Sequence, residues 1–287
     1  MTIPIIAHAG PLLGRYRVVL CDVWGVVHDG ITAYPGANEA LPRFRQAGGV
    51  VVLVSNAPRP GFSVAHLLDE KSVVRQAWDA IVTSGDIALA HIAQAGYRRL
   101  YRIGPERRDR AFFDGLPGPH TPIDEADAIV CTGLNRERHE QPEVYVPLLE
   151  QALARRLPFI CANPDLAVHV GEDLLPCAGA IASLYEERGG TVFWAGKPHP
   201  IAYRTALARA ADLTGGPVAR SDVLAIGDSV RTDLAAAAGA GVDALLIAGG
   251  LHRDEVMSDG EIDPARLASL LAPSAPGPVA VMRHLAW

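Results

Sequence analysis

The chain has 287 residues, of which 49% are hydrophobic and 20% are charged, a balance typical of a globular protein that folds in water. This length predicts one large domain or two domains of moderate size. The formal net charge of −6 at pH 7 argues against nucleic acid as a partner, because proteins that bind nucleic acid usually carry a basic surface.

Neither secretion nor membrane insertion is expected. The N-terminal stretch MTIPIIAHAG lacks the basic start of a secretory signal. The most apolar run, residues 235–251, is interrupted by Asp243 and several glycines, so it does not predict a spanning helix. The four cysteines are far apart in the sequence, which favours reduced thiols over a disulfide framework or a zinc site. We therefore expect a cytoplasmic protein with no membrane partner.

Short apolar runs rich in Val, Ile and Leu alternate with helical patterns along the chain. Such continuous apolar strands between helices predict a parallel sheet that helices cover on both faces. The predicted helices include residues 38–47 and 198–213, each ended by glycines. The predicted core strands are RVVLCD (17–22), GVVVLVSN (49–56), AIVTSG (80–85), DVLAIGD (222–228) and DALLIAGG (243–250).

A second series of strands lies in the middle of the chain and predicts an inserted α/β domain. We place the core in residues 1–80 and 178–287, and the insert in residues 81–177. The predicted strands of the insert are RRLYRIG (98–104), ADAIVCTG (126–133) and LPFICANPD (157–165).

Polar residues follow the first two predicted strands, and ligands of parallel α/β sheets bind at the carboxyl ends of strands. Asp22 ends the first strand, where a carboxylate close to a bound metal can attack phosphorus and form an aspartyl-phosphate. Ser55 and Asn56 end the second strand, where a hydroxyl and backbone N–H groups can hold phosphate oxygens. A turn or helix cap is the alternative for each residue, and the residues taken singly leave it open.

Two further polar elements lie later in the chain. Lys197 precedes Pro198, which suits the first position of a helix, and an ammonium group there can neutralise Asp22 and phosphate oxygens. Asp228 and Asp233 follow the strand VLAI, and Mg²⁺ prefers one or two carboxylates together with water and phosphate oxygens. A pair of capping Asp residues is the alternative interpretation.

These four elements together resemble the motif series of the haloacid dehalogenase superfamily, and more narrowly its NagD-like, class IIA branch. The resemblance spans nearly the whole chain. It implies an α/β fold in which a Rossmann-like parallel-sheet core carries an inserted α/β cap domain of the C2 type. It also implies a Mg²⁺-dependent phosphatase for a small phosphorylated metabolite, and relatives of this kind often form homodimers. The other stretches that carry it are HDG (28–30), TSGD (83–86), ANPD (162–165), CAGAIA (177–182) and GKPHP (196–200).

The resemblance implies a role for each candidate site residue. Asp22 would be the nucleophile, and Lys197 would orient it. For Asn163 and Asp165, a simple Asn-Pro-Asp turn is the alternative to a substrate contact. The metal ligands would be the carboxylates of Asp22 and Asp228, supported by Asp233, and the backbone carbonyl of Trp24. The residues that would bind the phosphoryl group or the substrate are Ser55, Asn56, Asn163 and Asp165.

One position departs from the family pattern. Phosphatases of this family carry a second Asp two residues after the nucleophile as general acid and base, and this chain has Trp24 there. An indole offers only an N–H donor, so turnover is expected to be impaired unless another group, such as His28, replaces the missing base. Trp24 also keeps two alternatives open. One is a non-catalytic protein that binds a phosphorylated metabolite, and the other is a dehalogenase, since dehalogenases of the superfamily also carry an aromatic residue there.

Overall fold

The computed structural model describes residues 3–170, 173–274 and 276–287. The chain divides into two compact units. The first unit contains Met1–Ser55, Ala65–Val82 and Pro200–Trp287, and the second contains Asn56–Val64 and Thr83–His199.

Strands and helices alternate through most of the described chain, as the apolar pattern predicts. The strands are β1 (Val18–Cys21), β2 (Val50–Ser55), β3 (Ala80–Thr83), β4 (Leu100–Ile103), β5 (Ala128–Cys131), β6 (Phe159–Cys161), β7 (Ala167–Val170), β8 (Asp173–Pro176), β9 (Val192–Trp194), β10 (Val223–Gly227), β11 (Asp243–Ile247), β12 (Met257–Ser258), β13 (Glu261–Ile262) and β14 (Ala280–Met282). The α-helices are α1 (Gly10–Leu13), α2 (Pro35–Gln46), α3 (Gly61–Glu70), α4 (Ser84–Ala95), α5 (Arg110–Phe113), α6 (Val146–Ala154), α7 (Ala178–Glu187), α8 (Pro200–Thr214), α9 (Ala235–Ala240), α10 (Arg253–Val256) and α11 (Pro264–Leu271).

The sheet of the first unit has the strand order β14-β11-β10-β1-β2-β3. The central strand β1 pairs in parallel with both β2 and β10. The chain continues from β1 to β2 and β3 on one side, whereas β10, β11 and β14 lie on the other side. The order therefore reverses between β1 and β10, which is where open α/β sheets bind ligands. Both strands are buried along their whole length. The predicted Rossmann-like parallel sheet is confirmed.

Helix α8 shows how the sequence covers this sheet. Its buried side chains are Ala202, Tyr203, Ala206, Leu207 and Ala210, which recur at helical spacing and form one apolar face. The helix packs against β1 and β2. Small alanines on this face let the helix backbone approach the buried valines and leucines of the strands.

The second unit has its own parallel sheet, with the strand order β4-β5-β6-β9. Its core includes Ile129, Leu149, Phe159 and Tyr185, all fully buried. The hydroxyl of Tyr185 donates a hydrogen bond to the carbonyl of Leu157 at 2.6 Å, so the polar end of this buried ring is satisfied. A separate antiparallel hairpin is formed by β7 and β8.

The structure places residues 178–199 in the second unit, whereas the sequence pattern predicted that the core resumes at residue 178. Helix α7 contributes Ile181, Ala182 and Tyr185 to the apolar core of the second unit. Strand β9 extends the second sheet by pairing with β6. Strand β9 has only three residues and was not among the strands predicted from the sequence.

None of the helices in the described ranges is both long enough and apolar enough to cross a membrane. The cytoplasmic location and the homodimer stay predictions. All four cysteines are buried, and desolvation raises the pKa of the Cys131 thiol to about 12.

Candidate active site

The register of β1 and β10 brings Asp22 and Asp228 to the same edge of the sheet. Cys21 is opposite Ile226, and the N–H of Asp22 donates to the carbonyl of Ile226 at 2.8 Å. Asp22 therefore follows the last pair of these two strands by one residue, and Asp228 follows it by two. No helix begins at Asp22, since α2 starts only at Pro35, so the alternative of a helix cap fails for this residue.

Asp233 joins these two carboxylates from a π-helical turn at Val230–Leu234. One carboxylate oxygen from each of Asp22, Asp228 and Asp233 lies within 4.8 Å of the others. The cap of this turn is Ser229, whose hydroxyl accepts a hydrogen bond from the N–H of Thr232 at 3.2 Å. The Asp233 Oδ2 atom accepts a hydrogen bond from the N–H of Ser229 at 3.2 Å, so Asp233 takes part in capping this turn and also lies beside the other two carboxylates.

The cluster fits a hard divalent cation. Asp228 and Asp233 are 6% and 2% exposed, and carboxylates so close together repel one another unless a cation or protons compensate. Two glycines leave room for the Asp228 side chain. A Cβ at Gly25 would lie 1.8 Å from the Asp228 Oδ2 atom, and a Cβ at Gly250 would lie 2.3 Å from it. The N–H of Leu251 donates to the same oxygen at 2.8 Å, which fixes the carboxylate.

Gly250→Ala is expected to weaken binding of Mg²⁺ roughly 10- to 100-fold, the usual effect of disturbing a group that orients a metal ligand. The added methyl group would displace Asp228, because it would also lie 2.5 Å from the Asp228 Cβ. Calorimetric titration with Mg²⁺ measures the affinity. Gly239→Ala is the matched control, since Gly239 lies in α9 with nothing within 4 Å of the added Cβ. Equal affinities in the two variants would contradict the assignment of Asp228.

Trp24 lies in the loop after β1 and packs on the residues that follow it. Its ring meets His28 edge to face, with centroids 5.2 Å apart and planes at 71°. Gly30 lies under the indole, since a Cβ at this position would be 2.5 Å from the ring. The backbone φ of Gly30 is +92°, and the Lys71 ammonium donates to its carbonyl. The HDG stretch thus forms the support on which the indole rests.

His28 is poorly suited to replace the missing base. It is 1% exposed, and its Nδ1 atom accepts a hydrogen bond from the N–H of Gly30 at 2.9 Å. Burial lowers its pKa to about 4, and the charge of Lys71 contributes to the decrease. The side chain is therefore a neutral imidazole at neutral pH, with one nitrogen occupied by the loop backbone. Its environment indicates that it supports the loop and Trp24.

In the second unit, a buried hydrogen-bond network forms around Asn56. The Asn56 Oδ1 atom accepts from the backbone N–H of Lys197 at 2.8 Å and from the Ser84 hydroxyl at 3.3 Å. The Asn56 Nδ2 atom donates to the carbonyl of Lys197 at 3.0 Å and to Asp165 Oδ1 at 2.9 Å. Both lone pairs and both N–H bonds of the amide are thereby used. The predicted contact between Asn56 and a phosphoryl group stays a prediction.

The structure also differs from the prediction near Lys197 and Ser55. Helix α8 begins at Pro200 rather than at Pro198, because the N–H of His199 donates to the carbonyl of Gly196 at 2.9 Å and closes a turn first. Ser55 ends β2 without capping a helix, since α3 begins only at Gly61. Lys197 is 2% exposed. Its predicted action on Asp22 stays a prediction.

The Asn-Pro-Asp turn predicted as the alternative for residues 163–165 is present. The N–H of Asp165 donates to the Asn163 Oδ1 atom at 3.1 Å. This bond holds Asp165 where its carboxylate meets Asn56. The role of Asn163 and Asp165 in substrate binding stays a prediction.

Comparison with known proteins agrees with this geometry. The family model described as haloacid dehalogenase-like hydrolase matches residues 19–115, and a second, described as HAD-hydrolase-like, matches residues 194–273. A solved hydrolase of the haloacid dehalogenase-like family from Brucella suis 1330 is 41% identical and has a TM-score of 0.85. The match covers 98% of this chain and 100% of that one. The chain belongs to the haloacid dehalogenase-like hydrolases.

Two further relatives show where this haloacid dehalogenase-like hydrolase lies within its family. The ribonucleotide monophosphatase NagD from Escherichia coli strain K12 is 27% identical over 81% of this chain and 88% of its own. A glycerol phosphate phosphatase from Mycobacterium tuberculosis, solved in complex with calcium, is 26% identical and has a TM-score of 0.63. That match covers 86% of this chain and 71% of the relative. The predicted NagD-like, class IIA branch is confirmed.

Some residues that shape this hydrolase's site were not predicted from its sequence. Gly250 and Leu251 follow β11, and the sequence pattern of this stretch predicted only the end of a strand. The Gly-Gly pair was a usable signal, because glycines allow a backbone to approach a carboxylate closely. No sequence pattern pointed to Ser84 as a site residue, because the fold alone brings its hydroxyl to Asn56.

Proposed function

We propose that this hydrolase is a Mg²⁺-dependent phosphatase that acts on a small phosphorylated metabolite through an aspartyl-phosphate on Asp22. The observation that carries the proposal is the cluster of Asp22, Asp228 and Asp233 at the switch point of the parallel sheet. Two relatives are named as phosphatases, the ribonucleotide monophosphatase NagD and the glycerol phosphate phosphatase, and the latter was solved in complex with calcium.

In the first step, a carboxylate oxygen of Asp22 attacks phosphorus and the bond from phosphorus to the leaving oxygen breaks. Ser55 at the end of β2 and the nearby backbone N–H groups hold the phosphoryl oxygens, and Lys197 stabilises their charge. A bound Mg²⁺, held by Asp22, Asp228 and the carbonyl of Trp24 with support from Asp233, would supply positive charge at the phosphoryl group. In the second step, water attacks phosphorus and loses a proton, the bond from phosphorus to the Asp22 oxygen breaks, and inorganic phosphate leaves the regenerated carboxylate.

Trp24 impairs the second step more than the first. An activated leaving group needs little proton donation, but water must lose a proton when it attacks the aspartyl-phosphate. Loss of a general base typically costs about a hundred- to ten-thousand-fold in rate. The indole offers no acceptor, and His28 is buried with its Nδ1 atom occupied. We therefore propose a phosphatase with slow turnover of its phosphoenzyme.

Trp24 also favours a second candidate function, a protein that binds a phosphorylated metabolite without turnover. In that case Trp24, rigidly supported by His28 and Gly30, would serve binding alone. The two candidates differ in the first turnover, since only the phosphatase releases one equivalent of leaving group.

The first test is a screen of phosphorylated metabolites with Mg²⁺, in which released phosphate is measured. We expect at least one small phosphate monoester to be hydrolysed. Treatment with EDTA should reduce the rate to background, and added Mg²⁺ should restore it, because the carboxylate cluster requires a compensating cation. Full activity after exhaustive chelation would contradict the metal assignment.

A further inference from the structure

The amide of Asn56 binds both backbone polar groups of a single residue, Lys197. Its oxygen accepts from the Lys197 N–H at 2.8 Å, and its nitrogen donates to the Lys197 carbonyl at 3.0 Å. The two residues are 141 positions apart in the sequence, so the contact is a product of the fold. Asn56 is 6% exposed, which protects these bonds from competition with water.

Two neighbours hold the amide in this orientation. The hydroxyl of Ser84, which is fully buried, donates to the Asn56 oxygen at 3.3 Å. The carboxylate of Asp165 accepts from the Asn56 nitrogen at 2.9 Å. A flipped amide would direct its oxygen at the carboxylate of Asp165 and its N–H groups at the N–H of Lys197. The network therefore allows one orientation of Asn56.

We propose that Asn56 is a positioning residue for Lys197, and that Asp165 and Ser84 act on the reaction by holding the Asn56 amide. The inference rests on the proposed function, in which Lys197 stabilises phosphoryl charge. Fixing both the N–H and the carbonyl of Lys197 fixes its Cα and the direction in which the side chain leaves the backbone. The interpretation differs from the predicted one, in which Asn56 and Asp165 contact the phosphoryl group or the substrate directly.

A double-mutant cycle of Asn56→Ala and Lys197→Ala tests this role. The readout is the single-turnover release of nitrophenolate from 4-nitrophenyl phosphate with enzyme in excess, which remains measurable over several orders of magnitude in rate. We expect Asn56→Ala alone to slow this step about 10- to 100-fold, as small displacements of catalytic groups do. The half-saturating enzyme concentration should change less than about threefold, because ground-state binding is retained.

The decisive comparison uses the Lys197→Ala background. If Asn56 acts through Lys197, the double variant should react within about twofold of Lys197→Ala alone. A double variant that loses the product of the two single effects would overturn the inference. Lys197→Ala with the wild-type rate would instead overturn the catalytic role of Lys197, and with it the part of the proposed function on which the inference rests.

Asn38→Ala is the matched control for simple destabilisation. Its amide donates to the carbonyl of Ser72 at 2.9 Å and accepts from the N–H of Val74 at 3.0 Å. Like Asn56, it therefore binds backbone groups of a segment that is distant in the sequence. We expect this variant to lower thermal stability and to leave the single-turnover rate within about twofold of wild type. If Asn56→Ala does not fold, the isosteric Asn56→Asp, which loses both N–H donors, replaces it in the cycle. Failure of both Asn56 variants to fold would show a purely structural role and overturn the inference.

Discussion

Asp22→Asn is expected to reduce phosphate release by roughly a thousandfold or more, as loss of a covalent nucleophile does in other hydrolases. The amide keeps the shape of the side chain but is a far weaker nucleophile towards phosphorus. Asp22 lies among carboxylates that repel one another, so the neutral side chain should leave the folded state at least as stable. The loss could then not be attributed to unfolding. Phosphate release with Mg²⁺ is the measurement, and thermal denaturation is the check on folding.

A matched control for this variant exists in the same loop. Asp29 is exposed, and its Oδ1 atom accepts hydrogen bonds from the N–H groups of Ile31 and Thr32, both at 2.8 Å. Asp29→Asn retains this acceptor, so it should fold normally and keep activity within about twofold of wild type. If Asp22→Asn keeps more than about a tenth of the wild-type turnover, the nucleophile has been assigned wrongly.

The carboxylate cluster could be predicted because its signal is local in the sequence. Asp22 and Asp228 each follow a short, wholly apolar run, and such runs form buried parallel strands whose carboxyl ends lie at one edge of a sheet. The spacing from Asp228 to Asp233 is short enough for one turn to return the second carboxylate to the first. The two aspartates then meet if their strands are neighbours in the sheet. The alternation of strands and helices predicts that the sheet is parallel.

The network around Asn56 could not be predicted in the same way. Its contacts join Asn56 to Asp165, 109 positions away, and to Lys197, 141 positions away, and no pattern in the sequence links these segments. The phosphate contact expected of Asn56 came from the resemblance to the family, and from a strand end where a Ser hydroxyl and backbone N–H groups can hold phosphate oxygens. The amide instead uses its whole hydrogen-bonding capacity on protein groups, which only three-dimensional packing can show.

The position of Trp24 predicts a fast first turnover followed by a slow steady state. Formation of the aspartyl-phosphate needs an acid only in proportion to how poor the leaving group is, so aryl phosphates should react far better than alkyl phosphates. Breakdown of the intermediate needs a base to activate water. A burst of nitrophenolate close to one equivalent of enzyme, followed by a slow linear phase, is the expected result in a stopped-flow or quenched experiment. The absence of a burst, with a linear rate from the start, would contradict slow breakdown.

Trp24→Asp should therefore raise the steady-state rate, by up to about a hundred- to ten-thousand-fold if the new carboxylate acts as the base. Trp24→Asn is the matched control. Asn has the same size as Asp and leaves the same space where the indole was, but it cannot act as a general base. Removing a large aromatic ring from a core costs up to about 3–5 kcal/mol, and Trp24 is only half-buried, so the penalty here should be smaller. Both variants must be shown to fold before their rates are compared.

The comparison between the two variants identifies what the indole does. A faster steady state in Trp24→Asp but not in Trp24→Asn would assign the slow step to the missing base. Equal rates in the two variants, both faster than wild type, would mean that the indole slows turnover by occupying space, since the two variants differ only in the titratable group. A well-folded Trp24→Asp slower than wild type would mean that another group already supplies the base. Trp24 would then contribute to the choice of substrate, because its ring is held rigidly by His28 and Gly30 in the loop directly after the nucleophile.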